Sequence, residues 1–292
     1  MTMSKSLRRA LLYGSAAPIL GALLWLRFGY EAPADFLQLL RGVDAQLRLA
    51  HGIPAHDRDG QAVAAHVELL DAASCDLELA RQQEPDSPLL LEFDGFLWHL
   101  RGNPREAAKC YRRARLMPDC SIEQRDVLAF NEARMQALAG ARVEALELLE
   151  GAQTEFAAAY QIPCLLERSE LLHALARDGE AKKLLEQVRA ADAPVAWIAA
   201  GRLYASMGDI EAAESALVAA AVRVPIADAH LALLKLAKGD ADSCWQLLER
   251  AARLAPAEMR RLLREEPTAW QAIAEDARFL RLTEPMSATP GR

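Results

Sequence analysis

The stretch from Pro194 to Pro225 constrains the fold of this chain more than any other. Small residues recur in it where two helices must approach closely, and large residues recur where the space between them must be filled. The pair Gly208-Asp209 predicts that one helix ends and the next begins there, because glycine ends helices and aspartate caps them. Pro225 predicts the end of the second helix, since the residue before a proline avoids helical geometry. The stretch therefore predicts two antiparallel helices.

The spacing inside this stretch follows a repeat unit of about 34 residues when Trp197 is counted as position 4. Positions 8, 11, 15, 20, 24, 27 and 32 are then occupied by Gly201, Tyr204, Gly208, Ala213, Leu217, Ala220 and Pro225. This pattern resembles the tetratricopeptide repeat. The resemblance implies an all-α fold, a TPR-type α-solenoid of antiparallel helix pairs, and a role in binding other proteins.

Five units of this kind follow one another between residues 88 and 256, and three of them match strongly. Their position-8 residues are Gly95, Ala133, Ser169, Gly201 and Ala232. The unit that contains Ser169 matches at fewer positions than the others. Helix pairs without a repeat would not keep glycine, alanine and proline in register, so the tandem arrangement indicates a repeat array.

The rest of the chain divides around this array. We predict an N-terminal signal anchor or transmembrane helix in 1–30, a helical connection or degenerate first repeat in 31–87, and the array in 88–256. Capping helices are predicted in 257–282, because the last repeat of a solenoid lacks a neighbour and needs cover. Trp270 and Phe279 are the aromatic residues expected to close that end. Residues 283–292 are predicted to be a disordered tail.

The N-terminal segment carries basic residues before an apolar run. Lys5, Arg8 and Arg9 precede Ala10–Leu26, whose length reaches the lower limit of a membrane span. We expect a single-pass inner-membrane protein whose body lies on the periplasmic or extracytoplasmic side. Two alternatives stay open: a signal peptide cleaved near Ala32-Pro33-Ala34, and a buried helix of a soluble protein.

The first helices of the units are expected to line a concave groove. Members of the family that clamp a C-terminal carboxylate use lysine and asparagine at several groove positions. This chain has Glu92, Phe130, Leu166 and Ile198 at position 5, so that clamp is absent. An apolar groove with scattered arginines suits an amphipathic helix or apolar segment of a partner, unless the terminal helices fill the groove from within. The candidate groove residues are Phe96, His99, Phe130, Arg134, Glu170, His173, Ile198, Arg202 and Leu233.

Charge and motifs narrow the possible functions. The formal net charge is −7, and it is −11 without the segment 1–30, which holds four basic residues and no acidic one. An acidic body does not suit a nucleic-acid-binding protein. The chain contains no GxSxG, P-loop or HExxH motif, so we predict no catalytic residues, no metal ligands, no cofactor and no small-molecule substrate. His51, His56 and His66 are close in sequence but lack a metal-binding spacing.

The five cysteines show no CxxC spacing, and they are interpreted as small buried apolar residues. A bridge between Cys110 and Cys120 stays open. These observations together predict a membrane-tethered scaffold or adaptor that binds a partner protein or peptide, in the assembly or quality control of a cell-envelope complex. The alternatives are a secreted, soluble binding module after signal-peptide cleavage, and a non-catalytic subunit of an enzyme complex.

Overall fold

The computed structural model describes residues 34–53, 55–56, 61–152, 158–265 and 267–283. Within these ranges the chain is helical and contains no strand beyond one isolated bridge between His56 and Ala62. The α-helices, in order, are α1 Ala34–His51, α2 Ala64–Gln83, α3 Pro88–Leu100, α4 Pro104–Arg115, α5 Ile122–Leu138, α6 Arg142–Ala152, α7 Ala158–Ala174, α8 Asp178–Ala190, α9 Pro194–Ser206, α10 Ile210–Ala221, α11 Ala227–Ala237, α12 Ala241–Leu254, α13 Pro256–Glu265 and α14 Ala277–Thr283. A 3₁₀ helix, Pro267–Ile273, lies between α13 and α14.

The chain forms two compact units, with the boundary between Ala176 and Arg177. Unit 1 contains α1 to α7, and unit 2 contains α8 to α14. The predicted anchor in 1–30 lies outside the described residues, as do residues 284–292 of the predicted tail. Among the helices that are described, none combines the length and apolarity that crossing a membrane requires.

Successive helices pack in pairs, and glycine permits the closest approach in each unit. At Gly95 of α3, a Cβ atom would lie 2.8 Å from Cε1 of the Tyr111 ring on α4. At Gly201 of α9, it would lie 2.7 Å from Cγ of Leu217 on α10. These contacts join positions 8 and 24 of a repeat, as the sequence pattern predicts. The result is an all-α helical-repeat architecture that resembles the tetratricopeptide repeat.

The corners between paired helices share one geometry. Gly102, Gly140, Gly208 and Gly239 all have positive φ angles, between 72° and 90°. At each corner the next residue donates its backbone N–H to a carbonyl five positions earlier, for example Asp209 N to Tyr204 O at 2.9 Å. Side-chain caps then start the second helices, and Asn103 accepts a hydrogen bond from Glu106 N at 3.3 Å.

One corner departs from this rule. Between α7 and α8, position 15 is Ala176, which adopts a φ of 59° where the other four corners have glycine. A left-handed backbone is unfavourable for a residue with a Cβ atom, by roughly 1 kcal/mol. This explains why the unit around Ser169 matches the repeat less well, since its corner glycine is missing.

In unit 1, α1 and α2 pack as an antiparallel pair ahead of the array. His66 at the start of α2 lies 3.0 Å from Ala50 O through Nδ1, and its Nε2 lies 3.4 Å from Leu100 O. This buried histidine therefore joins the ends of α1 and α3. Ala73, Leu77 and Ala80 of α2 are fully buried or nearly so, at the spacing of a second repeat helix.

In unit 2, the last helices cover the apolar side of α11 and α12. Trp270 is fully buried, and its ring lies 6.2 Å from that of Phe279. Met259 and Leu263 of α13 join the same cluster, together with Trp245 of α12. The C-terminal segment thereby supplies the apolar cover that a last helix pair lacks.

All five cysteines are free thiols, so Cys110 and Cys120 do not form a bridge. Cys110, Cys120, Cys164 and Cys244 are buried, as the composition predicts, whereas Cys75 on α2 is exposed. Burial raises the pKa of the Cys110, Cys120 and Cys164 thiols to about 11.

Candidate functional site

The predicted groove residues of unit 1 lie on α3, α5 and α7, the first helices of their pairs. We call the surface formed by these three helices and α1 the first-helix face. On α3, Glu92, Phe96 and His99 are spaced by four and three positions, so they lie on one side of the helix. The same spacing places Tyr160, Cys164 and Glu167 on one side of α7. The helix period therefore creates one candidate stripe on each of these helices.

Aromatic and imidazole rings form the first part of this face. The Phe96 ring is 6.0 Å from the His51 ring of α1 and stacks on His99 at 6.4 Å. Burial lowers the pKa of both histidines, and the positive charge of Arg134 lowers it further. Both imidazoles are therefore neutral at pH 7 and can act as hydrogen-bonding groups rather than as cations.

Arg134 occupies the next position along the face. Its guanidinium lies 5.8 Å from the centre of the Phe130 ring, and its Nε is 3.5 Å from a carboxylate oxygen of Glu167 on α7. The Phe130 ring in turn meets the Tyr160 ring edge-on at 5.8 Å. Phe130 is buried, whereas Arg134 is half-exposed. An arriving partner therefore meets Arg134 before it meets Phe130.

Three buried polar atoms on this face make no hydrogen bond to any described residue. They are Oε1 of Glu92, Nδ2 of Asn131 and the hydroxyl oxygen of Tyr160. The three residues belong to α3, α5 and α7, and each is more than nine-tenths buried. We call this group the carboxyl recess. Buried polar groups are nearly always paired in native proteins, so three orphans on consecutive first helices point to a binding role.

The environment of Glu92 accounts for its unusual acidity. Burial raises the pKa of its carboxyl to about 7, and the charge of Asp44 on α1 contributes in the same direction. Asp44 itself is paired with Arg48, whose Nη2 lies 2.7 Å away. Burial also raises the pKa of the Tyr111 and Tyr160 phenols, and the charge of Glu92 raises both further. The carboxyl therefore lies between α4 and α7, without a cation of its own among the described residues.

The other predicted residues of unit 1 border this region. Glu170 is exposed and His173 is half-buried, and both follow Glu167 on α7. Burial raises the pKa of the Glu167 carboxyl, Arg134 opposes this rise, and the charge of Glu170 adds to it. The end of α7 therefore places an acidic pair next to Arg134.

The predicted residues of unit 2 form a separate set. Ile198 is buried, Arg202 is exposed, and half-buried Leu233 packs against the C-terminal apolar cluster. Burial lowers the pKa of His230 to about 4, and the charge of Arg202 contributes to this. The Nδ1 atom of His230 makes no hydrogen bond to a described residue. This set is mostly apolar and contains no carboxylate without a cation.

Sequence analysis did not single out His51, Asn131, Tyr160 or Glu167 as part of a site. Glu92 stood out only as a residue that cannot serve a carboxylate clamp. Its spacing to Phe96 and His99 was a signal for a shared face, but its missing cation depends on contacts between distant helices. The described residues contain no group of three or more His, Cys, Asp or Glu side chains that could hold a metal ion.

No protein-family model matches this chain, and no curated protein matches its sequence. Among solved structures, it is similar to PilF of Pseudomonas aeruginosa at 14% identity, over 78% of this chain and 99% of that one, with a TM-score of 0.49. It is similar to NprR in complex with its cognate peptide NprX at 14% identity, over 95% and 85%, with a TM-score of 0.49. A thermophilic TPR protein of Thermus thermophilus aligns at 16% identity, over 78% and 98%, with a TM-score of 0.36.

Proposed function

We propose that this chain is a helical-repeat scaffold whose first-helix face in unit 1 binds a segment of a partner protein. The observation that carries the proposal is the carboxyl recess beside half-exposed Arg134 and the rings of Phe96 and His99. A surface with apolar rings and a few convergent, unpaired polar groups is suited to ligand binding. Binding rather than catalysis is proposed, because the face combines recognition groups without an activated nucleophile.

The proposal includes a membrane tether for this scaffold. The basic residues Lys5, Arg8 and Arg9 ahead of the apolar run Ala10–Leu26 support an N-terminal anchor with the body on the extracytoplasmic side. A tethered binding face of this kind would serve the assembly or quality control of a cell-envelope complex. The tether and the binding face are independent parts of the proposal, and each has its own test.

The binding face is tested by crosslinking and affinity capture from the native host, using the full chain tagged at its C-terminus. Arg134→Glu reverses the half-exposed charge on the face, and we expect it to reduce the captured partner at least about tenfold. Arg112→Glu makes the same charge change at an exposed position of α4 in the same unit and serves as the matched control. Equal capture by the two variants, with unchanged circular dichroism, would show the proposed face to be wrong.

The tether is tested by membrane fractionation and intact-mass measurement of the same tagged protein. Recovery at full mass from the membrane fraction is the expected result. A shortened, soluble protein would replace the anchor with a cleaved signal peptide, and the scaffold would then be a secreted binding module.

A further inference from the structure

The carboxyl recess allows the partner to be described by its chemistry. The argument rests on the proposed function, because it assumes that the first-helix face of unit 1 is the binding surface. Glu92 is 9% exposed and its Oε1 atom has no hydrogen-bond partner among the described residues. An isolated carboxylate in such a place is costly, and the cost is removed when a cation arrives with matching hydrogen-bond donors.

The charged groups around Glu92 leave that position open for a cation. On α1, Asp44 is paired with Arg48. On α5, Arg134 is directed to Glu167 of α7 and lies over the Phe130 ring. Neither arginine is therefore the counter-ion of Glu92.

The remaining ionisable neighbours supply no positive charge either. Tyr111 of α4 and Tyr160 of α7 are neutral, because burial raises the pKa of both phenols. Cys120, which precedes α5, is a neutral thiol whose pKa is raised to about 11 by burial. Buried Asp126 at the start of α5 adds negative character near Tyr160. The local field is therefore attractive to a positive group.

The other orphan atoms and the rings complete the recognition chemistry. Asn131 Nδ2 can donate to a backbone carbonyl of a bound peptide, and the Tyr160 hydroxyl can donate or accept. The Tyr160 and Phe130 rings, 5.8 Å apart, provide apolar surface for the aliphatic stem of a long basic side chain. We propose that the carboxyl recess receives a lysine or arginine side chain from the bound partner peptide, with Glu92 as its counter-ion.

Binding of this kind depends on pH in a defined direction. Because the pKa of Glu92 is about 7 in the free protein, its carboxyl is largely protonated at pH 6 and largely ionised at pH 8. A basic side chain stabilises the ionised form, so the affinity is expected to rise as the pH is raised from 6 to 8. His51 and His99 are neutral in this range because their pKa values are lowered, so they do not reverse the trend.

The test is a selection of random dodecapeptides displayed on phage against the full chain immobilised through its C-terminus. We expect the enriched peptides to share one lysine or arginine position. Synthetic versions should bind Glu92→Gln about tenfold more weakly or worse, since a charge-assisted hydrogen bond is lost. Replacing the shared basic residue by norleucine should cause the same loss. The two changes combined should cost no more than either alone, as a double-mutant cycle requires of a direct contact.

Several controls separate the outcomes. Glu92→Gln keeps the shape of the side chain, and Glu92→Leu, checked by circular dichroism, provides a second variant that cannot accept a hydrogen bond. Enriched peptides without a shared basic position, or with equal affinity for wild type and Glu92→Gln, would overturn the inference. If those peptides still lost affinity on Arg134→Glu, the proposed binding face would stand while its basic partner fell. Failure of the wild-type chain to enrich any peptide would overturn both.

Discussion

Each unit contains a buried carboxylate on a first helix, and the two differ in their partners. In unit 2, Asp228 of α11 is 1% exposed and both its oxygens accept hydrogen bonds from the guanidinium of Arg250 on α12. In unit 1, Glu92 of α3 is nearly as buried, but no cation among the described residues contacts it. Asp228 is therefore complete within the fold, whereas Glu92 is complete only with a ligand.

This difference teaches how a repeat fold divides structural from functional charge. A buried acid with a bidentate arginine joins two helices of one pair and leaves little for a ligand to gain. A buried acid without one lowers the stability of the free protein and raises its own pKa. Binding then recovers what the free fold lacks, so a group that is poor for stability becomes useful for recognition.

The largest expected effect concerns Glu92. The carboxyl has a pKa of about 7 in the folded chain against an ordinary value of 4.5, so the folded state binds the proton more tightly. Its contribution to stability is fully present below pH 4.5 and is lost as the pH rises to about 7. We expect Glu92→Gln to match wild type near pH 4 and to exceed it by about 3 kcal/mol at pH 8. Urea unfolding at both pH values measures this, and a pH-independent difference would refute the unpaired state of Glu92.

The complementary change in unit 2 is Arg250→Met. It leaves Asp228 buried without its cation, and we expect the free energy of unfolding to fall by about 2 kcal/mol, less than for a fully buried pair because Arg250 is half-exposed. The double variant Asp228→Leu with Arg250→Met should recover most of this loss, since neither charge remains. No loss on Arg250→Met in urea unfolding would mean that the pair is not structural.

His230 sharpens the comparison through the opposite pH dependence. Burial and Arg202 lower its pKa to about 4 from an ordinary 6.5, so the unfolded chain binds the proton more tightly. Stability is then present above pH 6.5 and is lost as the pH falls towards 4. Between pH 6.5 and 5 we expect His230 to cost about 1.5 kcal/mol, a loss that His230→Gln removes. Urea titrations of both proteins at the two pH values decide this, and parallel losses would contradict it.

The smallest effect tests where the two units are alike. Gly95→Ala and Gly201→Ala each place a methyl group against a buried side chain, Tyr111 or Leu217. We expect each to cost about 1 kcal/mol, because overpacking outweighs the better helix propensity of alanine. Gly179→Ala, where no atom lies within 4 Å of the new methyl group, is the control and should stabilise by about 0.5 kcal/mol. Thermal unfolding compares the three, and a stabilising Gly95→Ala would contradict the close approach.

The repeat architecture was predictable from the sequence because its signals are local. Gly201 and Leu217, positions 8 and 24 of one repeat, meet because two short helices bring them together, and Gly208 marks the corner between them. Ala176 shows the limit of this rule, since its positive φ is imposed without the glycine that would announce it. The helix pair α1 and α2 was visible only as apolar stripes, because a long connection replaces the corner signal.

The candidate site was only partly predictable. Phe96, His99, Phe130 and Arg134 were selected by repeat position, and the structure places them along one face. The partners that give them meaning come from other helices, as with Tyr160 against Phe130 and Glu167 beside Arg134. Such contacts depend on how the first helices of successive repeats are aligned, which a pattern of single positions does not specify.

The distribution of the cysteines makes the native chain a reporter of its own opening. Four thiols are shielded in the packed interior of α4, the segment before α5, α7 and α12, and only Cys75 is exposed. A maleimide or disulfide reagent will therefore label Cys75 at once in the native protein, without any engineered residue. The other four will react only when their own helices separate, since a buried thiol is both inaccessible and protonated. Mass spectrometry of the labelled peptides over time would rank the local opening rates of three thiols in unit 1 and one in unit 2.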